Sequence, residues 1–332
     1  MIISRTPFRV SFFGGGTDYP AWFNAHPGAV LATTIDKYCY ITARYLPPFF
    51  EHRSRITYSK MEHVQGIDDI DHPAVRETLR FLDIHKGVEI HHDGDLPARA
   101  GLGSSSAFTV GLLHAFYALK GVMPSKDRLA LDAIHVEQDM IRENVGCQDQ
   151  VLAAHGGFNH IEFSGAQAPR VRRVTVSPEN LALLQDHMML FFTGLSRTAS
   201  QIAAQQIENI PNRRKELTAM HAMVAAALDC LNAADFTGFG RLLDESWRIK
   251  RTLSDKITTP RIDDIYAAAM KAGALGGKLL GAGGGGFILV YADPEKKPAV
   301  RRALEDLLEI PFRFEALGSQ IIFYQPNSGV VA

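Results

Sequence analysis

The chain has 332 residues, of which 46% are hydrophobic and 21% are charged, and its formal net charge is −1. This length predicts about two domains, and the composition is typical of an ordinary soluble globular protein. The balanced charge excludes the basic field that nucleic-acid binding requires, and the apolar stretches are too short to span a bilayer. We therefore expect neither a nucleic-acid partner nor a membrane partner.

The cysteines and the first residues indicate the cellular compartment. Cys39, Cys147 and Cys230 are an odd and sparse set without paired spacing, which favours reduced thiols. The opening MIISRTPFRV lacks the long apolar segment of a signal peptide. These features predict a cytoplasmic protein.

In chain order, the first half of the sequence alternates between strand and helix patterns. Alternating β-branched and aromatic residues predict strands at 2–13, 28–46, 158–164 and 170–176. A polar pair, Asp36 and Lys37, predicts a turn that divides the second of these stretches into two strands. Apolar residues at helical spacing predict helices over 72–85 and from Ser125, a candidate N-cap, to Arg142.

The second half reads as strand, helices, strand, helix and strand. An apolar strand is predicted at 187–193, and a helix begins near Ala199. Helical patterns follow at 211–232, 236–251, 261–272 and 294–309. Between the last two, GGKLLGAGGGGFILVYAD predicts a glycine loop and then a strand, and FRFEAL and QIIFYQ predict two closing strands. This order predicts an α+β fold with domains at 1–178 and 179–332.

A glycine- and serine-rich turn lies between the strand that begins at Val88 and an apolar helix that extends to Leu119. We call it the glycine turn, and its residues are Gly101, Leu102, Gly103, Ser104, Ser105 and Ser106. Strand, turn and helix in this order place free N–H groups at a helix N-terminus, where the helix dipole also favours negative charge. Glycines let phosphate oxygens approach the backbone, and a serine hydroxyl beside them can bind Mg²⁺. A serine-capped helix start without a ligand is the other interpretation.

Three stretches, in this order along the chain, resemble the motifs of the GHMP kinases. They are RTPFRVSFFGGGTDY near the N-terminus, PxxxGLGSSS in the middle and LLGAGGGGF near the C-terminus. The resemblance implies an α+β two-domain fold, with a ribosomal-protein-S5-like N-terminal domain and a ferredoxin-like C-terminal domain. It also implies an active site between the two domains and a phosphotransferase that uses ATP and Mg²⁺.

The resemblance assigns chemical roles to single residues. Asp149, in GCQDQ, matches the catalytic base, which must orient the attacking hydroxyl and accept its proton. Arg9, in TPFRVSF, matches the cation that lowers the pKa of that hydroxyl. Glu137 matches a glutamate that binds Mg²⁺ together with a serine, for which we choose Ser105 before Ser104. Without the family, such residues are more typical of solvent-facing surfaces.

The resemblance also implies contacts to both substrates. The nucleotide phosphates would contact the glycine turn together with Gly283 and Gly284. The residues implied for the acceptor are Gly15, Gly16, Thr17, Asp18, Arg197 and Gly284. Galactokinases have glutamate and histidine where this chain has Gly15 and Gly16, which disfavours galactose as the acceptor.

Within the family, FFGGGTDYP, FFTGLSRTAS and GGKLLGAGGGGF most resemble the members that phosphorylate the anomeric hydroxyl of a heptose 7-phosphate. An acceptor of this kind carries a phosphate far from its reacting carbon and needs a second anion pocket. We predict that Arg197, at a strand-to-helix turn, binds this phosphate, and the alternative is a capped helix with Arg197 in solvent. Kinases of fucose, galactose or mannose-like sugars remain alternatives, as does a catalytically silent sugar- or nucleotide-binding regulator. The sequence leaves open whether the protein forms a homodimer.

Overall fold

The structure is a computed structural model that describes residues 1–98, 100–195 and 199–326. Its strands are β1 (Ile2–Phe13), β2 (Gly28–Tyr45), β3 (Ser54–Thr57), β4 (Met61–Val64), β5 (Val88–Gly94), β6 (Asn159–Phe163), β7 (Arg170–Arg173), β8 (Met188–Phe192), β9 (Ala274–Leu279), β10 (Phe287–Ala292), β11 (Leu308–Glu309), β12 (Phe314–Glu315) and β13 (Gln320–Tyr324). Its α-helices are α1 (Pro20–Phe23), α2 (Pro73–Phe81), α3 (Ser104–Leu119), α4 (Lys126–His135), α5 (Gln148–His155), α6 (Pro178–Asp186), α7 (Ala199–Asn209), α8 (Arg214–Asn232), α9 (Phe236–Lys250), α10 (Pro260–Lys271) and α11 (Lys297–Ala303).

Two sheets organise the chain, and the predicted α+β fold is confirmed. The large sheet has the order β13-β1-β2-β5-β3-β4, with β6 and β12 also pairing with β2, and β7 pairing with β6. The small sheet is antiparallel and has the order β11-β8-β10-β9. No helix of the described residues is long and apolar enough to cross a membrane.

Helix α3 lies in the core and positions the glycine turn. Its residues from Ser106 to Leu119 are buried almost without interruption, as expected for a helix that is apolar on all sides. The helix packs against β1 and β2 of the large sheet. This packing fixes its N-terminus, and with it the glycine turn, at one end of the sheet.

The predicted turn at Asp36 and Lys37 is wrong, because β2 continues through these residues as one strand. Opposite them, the pairing with β1 shifts: Tyr38 faces Pro7, whereas Ile35 faces Phe8. Two residues of β2 are therefore inserted as a β-bulge, which places polar residues in a strand without ending it.

Two other sequence predictions differ from the structure in the second half of the chain. Residues 276–279, predicted as part of a glycine loop, belong to strand β9. Gly276 lies against α9, where a Cβ would be 2.1 Å from the carbonyl oxygen of Gly240, so its glycine permits close packing of helix on strand. The helix predicted over 294–309 ends at Ala303, as α11.

The chain returns to the large sheet at its end. Strand β12 pairs with β2, and strand β13 pairs with β1, with Tyr324 opposite Ile2. These strands belong to the C-terminal half of the sequence but complete the large sheet, most of which comes from the N-terminal half. The proposed boundary after residue 178 stays a prediction.

A buried carboxylate joins three neighbouring strands of the large sheet. Glu89 on β5 accepts hydrogen bonds from Arg44 on β2, from Arg55 on β3 at 2.8 Å and from His91 at 3.1 Å. Burial alone would raise the pKa of Glu89, but these hydrogen bonds lower it to about 2. Because the folded pKa lies below the ordinary value of 4.5, the stabilisation is present above about pH 4.5 and is lost as the pH falls towards 2.

We expect Glu89→Gln to lower the free energy of unfolding at pH 7 by about 3 kcal/mol, since the guanidinium groups of Arg44 and Arg55 lose a buried, charged partner. The difference from the parent should shrink as the pH falls from 7 to 3. Urea unfolding of parent and variant at pH 7 and at pH 3 measures the loss and its pH dependence. The matched control is Glu162→Gln, whose more exposed ion pair with Arg172 at 3.2 Å should contribute less than about 1 kcal/mol. Equal losses in the two variants would contradict the stabilising role of the Glu89 carboxylate.

Candidate active site

A cleft opens where the two sheets approach each other. The end of β1, the glycine turn, the start of α5 and the loop after β9 form its walls. Its charged and glycine residues include Arg9, Gly15, Gly16, Asp18, Gly101, Gly103, Asp149, Lys250, Lys278 and Gly281. Residues that are far apart in the sequence therefore meet in one cavity.

The glycine turn presents the N-terminus of α3 to this cleft. Gly101 and Gly103 have φ angles of +84° and +74°, a left-handed conformation that glycine adopts without a steric penalty. Gly103 is the N-cap of α3, so the first amides of the helix face the cleft. Leu102 is buried between them, and its carbonyl accepts a hydrogen bond from the amide of Arg9 at 3.0 Å. This arrangement suits phosphate oxygens.

The loop between β9 and β10 packs directly on the glycine turn. A Cβ on Gly281 would lie 2.5 Å from the Cα of Gly101, so both positions require glycine. Gly281 and Ala282 line the cavity. Gly283 and Gly284, predicted to contact the phosphates, are not among the residues that line it, and the Gly284 amide donates to the carbonyl of Ile257 at 2.9 Å.

Arg9 and Asp149 form a bidentate ion pair in the cleft. Nε and Nη2 of Arg9 donate to the two carboxylate oxygens of Asp149 at 2.6 and 2.7 Å, and Nη1 donates to the carbonyl of Gly101 at 2.7 Å. Asp149 lies in the first turn of α5, where the helix dipole stabilises a carboxylate. The structure thus brings together the predicted base and the predicted cation beside the glycine turn.

Glu137 is paired with Ser106 rather than with Ser105. The Ser106 hydroxyl donates to Oε2 of Glu137 at 2.9 Å, and Gln150 donates to the same oxygen. Ser105 is exposed, because successive residues of a helix point about 100° apart. Glu137 lies on a π-helical turn, Val136–Met140, which interrupts the helix predicted from Ser125 to Arg142.

The Glu137 carboxylate fits a bound cation. Among the described residues, its Oε1 has no hydrogen-bond partner although the atom is buried. Burial raises the pKa of Glu137 to about 7, against the opposing effect of hydrogen bonds to the carboxylate. A hard cation such as Mg²⁺ would bind this oxygen and the Ser106 hydroxyl, with phosphate oxygens and water as further ligands. No cluster of three His, Cys, Asp or Glu side chains suited to a metal occurs among the described residues, and such a site does not require one.

The GGGTDY loop forms another part of the cleft wall. Gly15, Gly16 and Asp18 line it. The carboxylate of Asp18 accepts from the Gly16 amide and from Nε2 of Gln148, both at 2.9 Å, and burial raises its pKa. Thr17, predicted to contact the acceptor, is instead fully buried, and its hydroxyl donates to the carbonyl of Gly14 at 2.8 Å. Thr17 therefore shapes the loop.

Two buried lysines of the cleft are not predicted from the sequence. Lys250 is the last residue of α9, and Lys278 lies on β9. Burial and the nearby charge of Arg9 lower the pKa of Lys250 to about 8. Burial, together with the charges of Lys250 and Arg9, also lowers the pKa of Lys278. The lysine in GGKLLG is the one signal that could have pointed to this pair.

Arg197, predicted to bind the phosphate of the acceptor, lies outside the described residues together with Ser196 and Thr198. On the described side of this gap, Ser200, Ala203 and Gln206 of α7 line the cleft. Helix α7 therefore borders the cavity.

Comparisons with known proteins agree on one family. The model of the GHMP kinases N terminal domain matches residues 72–157, and that of the GHMP kinases C terminal region matches residues 225–310. D-glycero-alpha-D-manno-heptose 7-phosphate kinase of Campylobacter jejuni is 30% identical over 91% of this chain and 93% of its own length. L-fucokinase/L-fucose-1-P guanylyltransferase of Bacteroides fragilis is 29% identical over 71% of this chain but only 25% of its own length.

Solved structures show the same fold. A D-glycero-D-manno-heptose 1-phosphate kinase from Bacteroides thetaiotaomicron is similar with a TM-score of 0.78 and 24% identity, over 99% of this chain and 100% of that one. Mevalonate kinase of Methanococcus jannaschii is similar with a TM-score of 0.72 and 20% identity, over 94% and 98% of the two chains.

Proposed function

This chain belongs to the GHMP kinases and is an ATP-dependent sugar kinase, and we propose that its acceptor is D-glycero-D-manno-heptose 7-phosphate. The reaction would phosphorylate the anomeric C1 hydroxyl and give the 1,7-bisphosphate. This product would serve the synthesis of nucleotide-activated heptose for surface polysaccharide.

The observation that carries the chemistry is the Arg9–Asp149 pair beside the glycine turn. Arg9 donates to Gly101 of the glycine turn, where phosphates would bind, and the pair lines the same cavity as Gly15, Gly16 and Asp18. The heptose assignment is supported by the 30% identity to the Campylobacter heptose 7-phosphate kinase, which extends over almost the full length of both chains.

In the proposed mechanism, amides of the glycine turn bind the β- and γ-phosphates of ATP. Asp149 accepts the proton of the C1 hydroxyl while the hydroxyl oxygen forms a bond to the γ-phosphorus. The bond between the γ-phosphorus and the β–γ bridging oxygen breaks, and ADP leaves. Arg9 holds the carboxylate in place and stabilises negative charge on the attacking oxygen. Ser106 and Glu137 would hold Mg²⁺, which supplies positive charge to the phosphates when bound.

A panel of acceptors tests the proposal. The purified protein is assayed for ADP release with heptose 7-phosphate, the same heptose without phosphate, mannose, fucose and galactose. We expect the highest kcat/KM with heptose 7-phosphate. If activity is highest with fucose or galactose, that sugar is the acceptor instead. If no sugar supports ATP turnover, the protein is a catalytically silent sugar- or nucleotide-binding regulator.

We expect Glu137→Gln and Ser106→Ala each to raise the Mg²⁺ concentration required for half-maximal rate, because each variant removes an oxygen ligand. The increase should be about tenfold or more for the carboxylate. Steady-state rates over a range of Mg²⁺ concentrations measure this. Ser105→Ala is the matched control, because Ser105 also lines the cleft but, among the described residues, only Ser106 of the two donates to Glu137, and the variant should titrate with Mg²⁺ like the parent. A larger shift in Ser105→Ala than in Ser106→Ala would restore Ser105 as the ligand.

A further inference from the structure

Two buried lysines line the cleft. The residues Lys250 and Lys278 are 6% and 2% exposed, and both line the same cavity as Arg9 and Asp149. They come from different elements of the C-terminal half: Lys250 ends α9, and Lys278 is the next-to-last residue of β9. The fold therefore gathers two cations where substrates are expected to bind.

Both ammonium groups donate only to carbonyl oxygens of the described residues. Nζ of Lys250 donates to Gly281 at 2.5 Å and to Leu279 at 3.3 Å, and Nζ of Lys278 donates to Phe12 at 2.8 Å. Since an ammonium carries three donors, one N–H of Lys250 and two of Lys278 are not used by the described part of the chain. Neither lysine forms an ion pair with a described carboxylate.

Hydrogen bonds to backbone carbonyl oxygens do not require a buried positive charge. A neutral amide or hydroxyl would donate the same hydrogen bonds with a smaller desolvation cost. Burial in the first place, and then the positive charge of Arg9, lowers the pKa of both ammonium groups, and Lys250 also lowers the pKa of Lys278. The carboxylates of Asp18 and Asp149 line the same cavity but form no ion pair with either lysine. An anion that enters the cavity would therefore supply a countercharge in direct contact and accept the unused N–H groups.

Neighbouring atoms indicate which side of the cleft the anion occupies. Lys278 donates to the carbonyl of Phe12, which precedes the loop that carries Gly15, Gly16 and Asp18. Ser11 Oγ and Gln148 Oε1, which belong to two cleft-lining residues, are buried and have no hydrogen-bond partner among the described residues. Unpaired hydroxyl and amide oxygens suit the hydroxyl groups of a sugar, whereas the glycine turn already offers its amides to the nucleotide.

We propose that Lys250 and Lys278 form a second anion subsite that binds the phosphate group of a sugar phosphate acceptor. The inference rests on the proposed function, because it assigns the binding of the acceptor within the same cleft. It gives the acceptor phosphate a binding site among the described residues, apart from the prediction for Arg197.

The test compares Lys250→Met and Lys278→Met with the parent, since methionine keeps an unbranched side chain without the charge. Lys256→Met, at an exposed lysine on the segment after α9, is the matched control. Each protein is assayed with heptose 7-phosphate and with the unphosphorylated heptose. We expect the ratio of the two kcat/KM values to fall about tenfold or more in both cleft variants and to stay unchanged in the control.

Inorganic phosphate provides a second readout. It should inhibit the parent in competition with heptose 7-phosphate, and this inhibition should weaken in both cleft variants. If a methionine variant does not fold, as judged by thermal unfolding, Lys278→Gln and Lys250→Gln take its place.

Three results would overturn the inference. The first is an unchanged ratio in the cleft variants. The second is an equal loss with both acceptors, which would assign the lysines to the phosphates of ATP or to the fold. The third is a parent without preference for the phosphorylated sugar, which would refute the proposed acceptor itself before any variant is compared.

Discussion

Asp149→Asn should lower kcat by about 10²-fold or more, the usual contribution of a general base, while the affinity for ATP stays within about twofold of the parent. Asparagine preserves the shape of the side chain but cannot accept the proton of the acceptor. It also offers Arg9 one carbonyl oxygen where the carboxylate offers two, at 2.6 and 2.7 Å. Steady-state kinetics measures kcat, and calorimetric titration with ATP measures the affinity.

The matched control for this variant is Asp132→Asn. Asp132 is also a partly buried aspartate beside an arginine, 18% exposed against 23% for Asp149, and it pairs with Arg128 at 3.4 Å on α4, outside the walls of the cleft. We expect it to retain the kcat of the parent. Comparable kcat values for Asp149→Asn and Asp132→Asn would show that Asp149 is not the general base.

The pairing of Arg9 with Asp149 could be predicted from the sequence only through motifs. The two residues are 140 positions apart, on β1 and at the start of α5. Neither residue has a local pattern that separates it from an ordinary surface charge. The order of the three motifs supplied the expectation of a shared site, and the geometry of the ion pair is a result of the fold.

The choice among three consecutive serines could not be made from the sequence. A shift of one residue in a helix turns the side chain by about 100°, and helix ends are predicted only to within a residue or two. Because α3 begins at Ser104, the Ser106 hydroxyl reaches Glu137, whereas Ser105 is exposed at the wall of the cleft. The identity of the partner therefore depends on the exact start of the helix.

The β-bulge in β2 and the buried lysines could not be predicted because they depend on contacts between distant segments. Asp36 and Lys37 have the composition of a turn, but β2 pairs with β1 on both sides of them and so continues as one strand. Lys250 ends an amphipathic helix, where a basic residue is expected at the surface or near the helix dipole. Its burial follows from the packing of α9 on β9, which local sequence does not encode.

The second large effect concerns the glycine turn. Gly103→Ala adds a Cβ that would lie 3.1 Å from Cγ of Arg9 and 3.3 Å from Oδ2 of Asp149, at a φ of +74°. The methyl group strains the backbone, crowds the ion pair and occupies space that a phosphate oxygen would approach. We expect kcat/KM for ATP to fall about tenfold or more, because Arg9 and Asp149 must give way and the methyl group occupies the approach of a phosphate oxygen.

Gly121→Ala separates this local crowding from the backbone strain. Gly121 follows the other end of α3 with nearly the same φ of +72°, and a Cβ there would meet no atom within 4 Å. Both variants should lose about 1–2 kcal/mol of unfolding free energy, the cost of a left-handed conformation for a residue with a side chain. Only Gly103→Ala should also lose activity, because only its Cβ reaches the groups that hold ATP and orient the acceptor. Parent-like kinetics in Gly103→Ala, at a stability equal to that of Gly121→Ala, would show that the phosphates bind elsewhere in the cleft.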